Sequence, residues 1–237
     1  MSSIDYHLAE LEIALSKSDP RRILPDIHES EKAILDIGCG VGQSFLALEC
    51  TNRICVGLDV DEEAIKYGME NYGRQIQFVL ADAQRLPFPA ESFDFVFARV
   101  SLPYTNVPRV IREARRVLRR DGRVWLSLHT QDRALRYLRE AAAASNVKQL
   151  IHGSYVLLNG YLLKYFGKTL PFVNGRYESW QDAVAMKALL RKCGFEAADH
   201  KIGLHTVVEG RLNRLLQAVA SISPLFLAVL NVGLSDA

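Results

Sequence analysis

The sequence predicts an α/β protein in which a mostly parallel sheet is covered by helices on both faces. Short apolar runs of strand length alternate along the chain with segments whose apolar residues recur at helical spacing. A glycine-rich turn follows the first apolar run, residues 33–37, as expected where a buried parallel strand leads into a helix. The chain has 237 residues, of which 49% are hydrophobic, so one domain with a substantial core is the natural organisation.

Composition disfavours some classes of partner. The chain has 29 Lys and Arg residues against 27 Asp and Glu residues, a net charge of +2. This balance does not indicate the strongly basic surface that is typical of nucleic-acid binding. The four cysteines form no C-x-x-C pair, which argues against a zinc site and favours buried thiols in a reducing compartment. The N-terminus shows no apolar signal core, and no stretch of about 18 apolar residues occurs. We therefore expect a cytoplasmic protein without a bound metal.

The turn after the first strand carries the first functional signal. Asp36 is followed by Gly38, Gly40 and Gly42, and a helix is predicted from about Ser44. Glycine is needed where backbone angles exclude a side chain and where a ligand must lie against the main chain. A dehydrogenase loop has the spacing G-x-G-x-x-G and binds a pyrophosphate, which Asp36 would repel. Asp36 instead suits a ligand with a positive charge near that position.

Acidic residues also follow the next two predicted strands. Asp59 ends the second run, 21 residues after Gly38 (59 − 38), where one carboxylate can accept both ribose hydroxyls of a bound nucleoside. Asp82 and Ala83 directly follow the third run. Because ligands of open parallel sheets bind at the carboxyl ends of the strands, Asp36, Asp59 and Asp82 are expected to address three parts of one ligand.

These segments resemble the class I methyltransferases that use S-adenosylmethionine. An acidic residue with G-x-G-x-G is that family's first motif, D-A-x-x-L-P-F follows its third strand, and residues 116–122, RVLRRDG, are similar to its R-V-L-K-P-G-G segment. The resemblance implies that Asp82 accepts from the adenine amino group and that the Ala83 amide meets the ring. It also implies cofactor contacts from Cys39, Val60 and Arg99.

The resemblance further implies the fold and the cofactor. The expected sheet has seven strands in the order 3-2-1-4-5-7-6, with only the seventh antiparallel. S-adenosylmethionine is the expected cofactor and S-adenosylhomocysteine its product. The seven strands are predicted at residues 33–37, 54–58, 76–80, 92–98, 124–128, 195–201 and 204–209.

A short motif after the fourth strand bears on the atom that is methylated. Residues 101–104, SLPY, resemble the N-P-P-Y motif with which some relatives methylate amines or amides. That motif would place its Asn at Arg99, two residues before Ser101. We therefore favour methylation at oxygen or carbon.

Two segments extend beyond the minimal fold. Residues 130–179 keep helical spacing and are predicted to form a cap, while residues 211–237 are strongly apolar. In relatives such a cap roofs the acceptor pocket, and we expect Tyr161 and Tyr165 to belong to its walls; a cap that merely packs on the sheet is the alternative. The apolar extension could dock on the domain, pair with another subunit or touch a membrane surface.

The inferred function is methyl transfer to a small, apolar or aromatic acceptor. Tyr104 and His129 follow the fourth and fifth strands and are the candidate catalytic residues, with His129 either a general base or a structural histidine. A non-catalytic interaction scaffold and a dehydrogenase are rival interpretations. An RNA or protein methyltransferase is another, since arginines crowd one face of the helix predicted at residues 107–120.

Overall fold

The computed structural model describes residues 2–202 and 205–212, with the backbone alone at residues 200–202 and 205. The strands are β1 (Ala33–Ile37), β2 (Ile54–Asp59), β3 (Gln77–Leu80), β4 (Phe93–Ala98), β5 (Leu118–Leu128), β6 (Phe195–Ile202) and β7 (His205–Leu212). The helices are α1 (Ser3–Leu15), α2 (Gln43–Leu48), α3 (Glu62–Tyr72), α4 (Val107–Val117), α5 (Gln131–Ala143), α6 (Val147–Phe166) and α7 (Ala183–Lys192), with a short 3-10 turn at Leu102–Tyr104.

The sheet has the predicted strand order, β3-β2-β1-β4-β5-β7-β6. The pairs among β1 to β5 are parallel, whereas β7 is antiparallel to both β5 and β6. The register aligns the carboxyl ends of the central strands, since Ile37 pairs with Leu58 and Asp59 pairs with Leu80. The residues that follow β1, β2 and β3 therefore meet at one edge of the sheet.

Alternation along the strands divides the core into two layers. Leu35 and Ile37 of β1 pack with Val110 of α4 and Met186 of α7 on one face. Ile34 packs on the other face, in a layer that also holds four buried aromatic rings, one of them from the first turn of α2. The aromatic members of that layer are Phe45, Phe95, Phe97 and Trp125.

The glycine turn between β1 and α2 requires the residues predicted for it. Gly38, Gly40 and Gly42 have φ angles of 76°, 53° and 90°, in the left-handed region that side chains disfavour. Gly38 also lies so close to Ser101 that a Cβ atom would overlap its side chain. The turn can form only with glycine at these positions.

The fifth strand and the cap differ more from their predicted extent than small shifts at element ends. β5 begins at Leu118, six residues before the predicted start, because the backbone pairs with Phe93 before a bulge and resumes pairing at Arg123. The tight turn in this bulge is made by Asp121, with a φ of 68°, and the neighbouring Gly122 lacks a positive φ. The cap predicted at residues 130–179 consists of α5 and α6 followed by residues 167–182 without helix or strand.

The apolar extension lies largely outside the described residues, since 213–237 are not among them. The turn of the terminal hairpin is predicted at Ile202–Gly203. Residues 203–204 also fall outside, while Ile202 ends β6 and the second strand of the hairpin is β7. Within residues 2–202 and 205–212, none of the helices combines the length and apolar character needed to cross a membrane.

Candidate active site

A cavity of about 1040 Å³ opens at the carboxyl edge of the sheet. Its volume is at the upper end of the range of small-molecule sites, about 300–1,000 Å³, so it has room for two ligands side by side. The floor of the cavity is formed by residues that follow the first three strands, namely Gly38, Asp59, Val60, Asp82 and Ala83.

Asp59 ties the glycine turn to the end of β2. Its carboxylate accepts hydrogen bonds from the backbone N–H groups of Gly40 at 2.8 Å, Val60 at 2.7 Å and Asp61 at 3.1 Å. A carboxylate has about four lone-pair sites, so three donors leave capacity for a ligand hydroxyl. Asp59 is therefore both a structural link and a cavity residue.

Asp82 lies in a different environment from Asp59. Its exposed side chain accepts from the backbone N–H of Gln84 at 2.8 Å and from the Gln84 amide at 2.9 Å. This local turn holds Ala83, which is buried in the cavity floor. The carboxylate of Asp82 can accept a ligand donor without changing the fold around it.

Asp36 lies behind the floor. It is fully buried, and alternation along β1 places it on the same face as Ile34, towards Ser44 of α2. Neither carboxylate oxygen makes a hydrogen bond of ordinary geometry among the described residues. Burial raises the pKa of Asp36 to about 7, against the opposing effects of the Arg99 charge and the Ser44 hydroxyl. A direct contact between Asp36 and a ligand remains a prediction.

Three other predicted cofactor residues also lie outside the cavity wall. Cys39 is buried against Gly57, and Gly42 packs against Phe78. Gly40 contributes its N–H to Asp59. The structure thus places them as supports of the turn that shapes the floor.

Helix α1 covers the glycine turn, a placement that the sequence did not predict. Tyr6 and His7 line the cavity, and His7 Nε2 lies 3.3 Å from a carboxylate oxygen of Asp61. Arg99, predicted to bind the cofactor, is buried and donates to Glu10 of α1 at 2.6 Å. The apolar spacing of the segment predicts the helix but carries no signal for the cleft that its polar face covers.

The opposite wall comes from the cap and from the turn after β4. Ser179 N–H donates to the Pro103 carbonyl at 3.0 Å, which joins residues 167–182 to the SLPY turn. Four aromatic residues line this half, together with polar and charged side chains from α5, α6 and the segment after α6. The aromatic residues are Tyr104, Tyr155, Phe172 and Tyr177, and the charged or titratable ones are Arg133, His152, Arg176 and Glu178.

Tyr161 and Tyr165 do not line the cavity, so the prediction that they wall it is wrong. Their rings stack on each other with centroids 6.2 Å apart, and Tyr165 is 68% exposed. Each residue turns a helix by about 100°, so Tyr161 lies about 240° around α6 from Tyr155, which does face the cavity. The aromatic segment was predicted correctly, but the helix face was not.

The two candidate catalytic residues are neighbours. The rings of Tyr104 and His129 meet edge to face with centroids 5.8 Å apart, but only Tyr104 lines the cavity. Loss of solvation, reinforced by the negative charge of Glu178, raises the pKa of Tyr104 to about 12. Tyr104 therefore stays protonated near neutral pH and is suited to donate a hydrogen bond. The backbone of His129 is held by Gln181 through two hydrogen bonds of 2.8 and 2.9 Å.

Part of the chain is similar to known methyltransferases. The family model described as a methyltransferase domain matches residues 35–126. The uncharacterized methyltransferase YcgJ of Bacillus subtilis (strain 168) is 33% identical over 105 residues, and this match spans 42% of each protein. The demethylmenaquinone methyltransferase of Clavibacter sepedonicus is 27% identical over 177 residues, 71% of this chain and 67% of that protein.

The fold has solved counterparts. The crystal structure of a SAM-dependent methyltransferase from Methanosarcina mazei covers 78% of this chain and 94% of its own, with a TM-score of 0.54 and 23% identity. At this level of identity the likeness concerns the fold alone. Within the described residues, no group of three or more His, Cys, Asp and Glu side chains is arranged to hold a metal ion.

The buried carboxylate gives a prediction for stability. Because the pKa of Asp36 rises from 3.8 to about 7 on folding, its contribution to stability is fully present below about pH 4 and is lost as the pH rises through about 7. Asp36→Asn should therefore raise the free energy of unfolding at about pH 8, by on the order of 1–4 kcal/mol, and change it little at about pH 4. Denaturant unfolding at both pH values measures this difference. An equal effect at the two pH values would contradict the assignment.

Proposed function

We propose that this chain is a class I S-adenosylmethionine-dependent methyltransferase that transfers a methyl group to oxygen or carbon of a small, apolar or aromatic acceptor. The match of residues 35–126 to a methyltransferase domain supports this proposal. The observation that carries this proposal is the shared cavity. One continuous space joins the acidic floor, with Asp59 and Asp82, to the aromatic wall of the cap, with Tyr155, Phe172 and Tyr177. A cofactor on the floor would face an acceptor against the wall.

The residues of the floor fit the cofactor. Gly38 leaves the main chain open where a side chain would overlap Ser101, so a ligand can approach the turn closely. We assign the remaining acceptor capacity of Asp59 to a ribose hydroxyl, and Asp82 with the Ala83 amide to the adenine. When bound, S-adenosylmethionine supplies a methyl group activated by its sulfonium, and the departing thioether is neutral.

The tasks left to the chain are positioning and exclusion of water. Helix α1 covers the glycine turn through His7 with Asp61 and through Glu10 with Arg99. Burial, together with the charge of Glu10, raises the pKa of Tyr6, so its hydroxyl stays protonated at the cavity wall. Alignment of the reacting atoms in a closed site accounts for most of the acceleration expected of such a transfer.

The acceptor is assigned by the chemistry of the wall. Aromatic rings suit a planar or apolar molecule, and Tyr104 can donate a hydrogen bond to its polar group. The relative from Clavibacter sepedonicus is named for demethylmenaquinone, which supports a small organic acceptor. The near-neutral net charge of +2 supports the same class over a nucleic acid. We propose that the reaction takes place in the cytoplasm. The four cysteines form no C-x-x-C pair, which favours free thiols in a reducing compartment.

Asp59 and Asp82 should behave differently when each is replaced by Ala. Asp59→Ala removes ligand contacts and leaves the buried Gly40 N–H unpaired, so S-adenosylhomocysteine binding should weaken by about 1.5–3 kcal/mol and the Tm should fall. Asp82→Ala should weaken binding while the free energy of unfolding changes by less than about 1 kcal/mol. Calorimetric titration and thermal unfolding of both variants provide the test. Unchanged affinity in either variant would remove that residue from the cofactor site.

Phe172 tests the acceptor wall. Phe172→Ala should leave S-adenosylhomocysteine affinity intact and lower turnover by about 10- to 100-fold, because only positioning of the acceptor is disturbed. Phe166→Ala is the matched control, since Phe166 ends α6, is 70% exposed and lies outside the cavity. Turnover is followed as tritium passing from labelled S-adenosylmethionine into the small-molecule fraction of a cell extract. Label found only in RNA, DNA or protein would overturn the small-acceptor proposal, and binding without transfer to any fraction would favour the scaffold.

A further inference from the structure

A histidine and a carboxylate lie close together in the half of the cavity that the cap lines, where the acceptor is proposed to bind. His152 Nε2 of α6 lies 3.2 Å from Glu178 Oε2, and both residues line the cavity. We infer that the acceptor carries a hydroxyl group and that His152 is the general base that takes its proton, with Glu178 as the positioning residue. This inference rests on the proposed methyl transfer and adds to it the atom methylated and the residue that removes the proton.

The imidazole is held in one orientation by aromatic rings. Its centroid lies 6.0 Å from that of Tyr137 and 5.7 Å from that of Phe172, and both rings stand nearly perpendicular to it. Tyr155 packs against it at 6.1 Å in a tilted arrangement. Since Glu178 occupies the side of Nε2, Nδ1 is the nitrogen that can accept a proton.

The pair lies across the cavity from the cofactor floor. Glu178 directly precedes Ser179, whose N–H donates to the Pro103 carbonyl in the turn after β4. That same turn contains Ser101, which packs against Gly38. The charge of Glu178 is close enough to Tyr104 to raise its pKa. His152 and Glu178 therefore belong to the cap wall of the cavity. An acceptor bound between this wall and the floor would touch them.

Charged and titratable side chains surround the His152–Glu178 pair. Arg133 of α5 and Glu178 both act on this region. Further titratable or charged side chains around it are Tyr104, Tyr137, Tyr155, Arg176 and Tyr177. Burial raises the pKa of Glu178, while the nearby His152 and Arg133 oppose that effect. An ionised Glu178 stabilises the imidazolium that forms when His152 takes a proton.

The proton and electron balance of the step is simple. The acceptor oxygen gives its proton to Nδ1 of His152 and forms a bond to the methyl carbon. The carbon–sulfur bond breaks, its electron pair goes to sulfur, and the product is a neutral thioether. His152 then releases the proton to solvent through the cavity mouth. No further reactant is needed.

The first experiment identifies the methylated atom and the effect of His152. The protein is incubated with S-adenosylmethionine bearing a 13C-methyl group and with the small-molecule fraction of a cell extract. The 13C chemical shift should show an O-methyl product. His152→Gln should lower kcat by about 10²- to 10⁴-fold and leave S-adenosylhomocysteine affinity unchanged. Lys164→Gln is the matched control, because the ion pair of Lys164 with Asp182, at 3.1 Å, lies in the same cap but outside the cavity.

The second experiment separates a catalytic His152–Glu178 pair from a structural ion pair, and its NMR part needs no cofactor. Histidine NMR titration of the ligand-free protein assigns His152 by the resonance absent from His152→Gln. Removing the charge in Glu178→Gln should lower the pKa of His152 by about half a pH unit or more. The acid limb of the kcat–pH profile should move to lower pH by the same amount. A limb that stays in place would show a structural pair and overturn the inference.

The remaining outcomes distinguish this inference from the proposed function. A C-methyl product, or a His152→Gln variant with full turnover, contradicts the dyad while leaving small-molecule methylation standing. Failure to bind S-adenosylhomocysteine contradicts both. Should His152→Gln fail to fold, the kcat–pH profile of Glu178→Gln decides the question.

Discussion

The left-handed turn between β1 and α2 is the constraint on which the site depends. Three alternate glycines adopt positive φ, and the first packs directly against Ser101 in the turn after β4. Asp59 fixes the middle of the turn by accepting from Gly40. Because this backbone forms the floor of the cavity and touches the start of the opposite wall, a side chain at Gly38 would disturb both halves of the site together.

Two helical additions convert this open edge into an enclosed cavity. Helix α1 covers the turn through polar contacts with Asp61 and Arg99, while the cap is joined to the SLPY turn through the backbone of Ser179. Neither addition is needed to complete the sheet. Their side chains supply the aromatic rings and imidazoles that the floor lacks.

The sequence predicted the parts of the molecule that local chemistry determines. The strand order followed from the resemblance, and the glycine positions followed from backbone sterics, as the φ angles of Gly38, Gly40 and Gly42 confirm. Long-range packing was not predictable in the same way. Tyr161 was assigned to the wall instead of Tyr155. Helical spacing identifies the residues that share one face of α6, but it does not show which face contacts the cavity. His152 and Glu178, 26 residues apart (178 − 152), carry no shared pattern in the sequence.

Calorimetric titration of the ligand-free protein tests the central claim most directly, because it asks which ligand the cavity floor recognises. S-adenosylhomocysteine should bind with a dissociation constant in the micromolar range, a free energy of about −7 to −8 kcal/mol, and NAD should give no binding heat. Binding of NAD with no response to S-adenosylhomocysteine would contradict the account, because the glycine turn would then be a dinucleotide site.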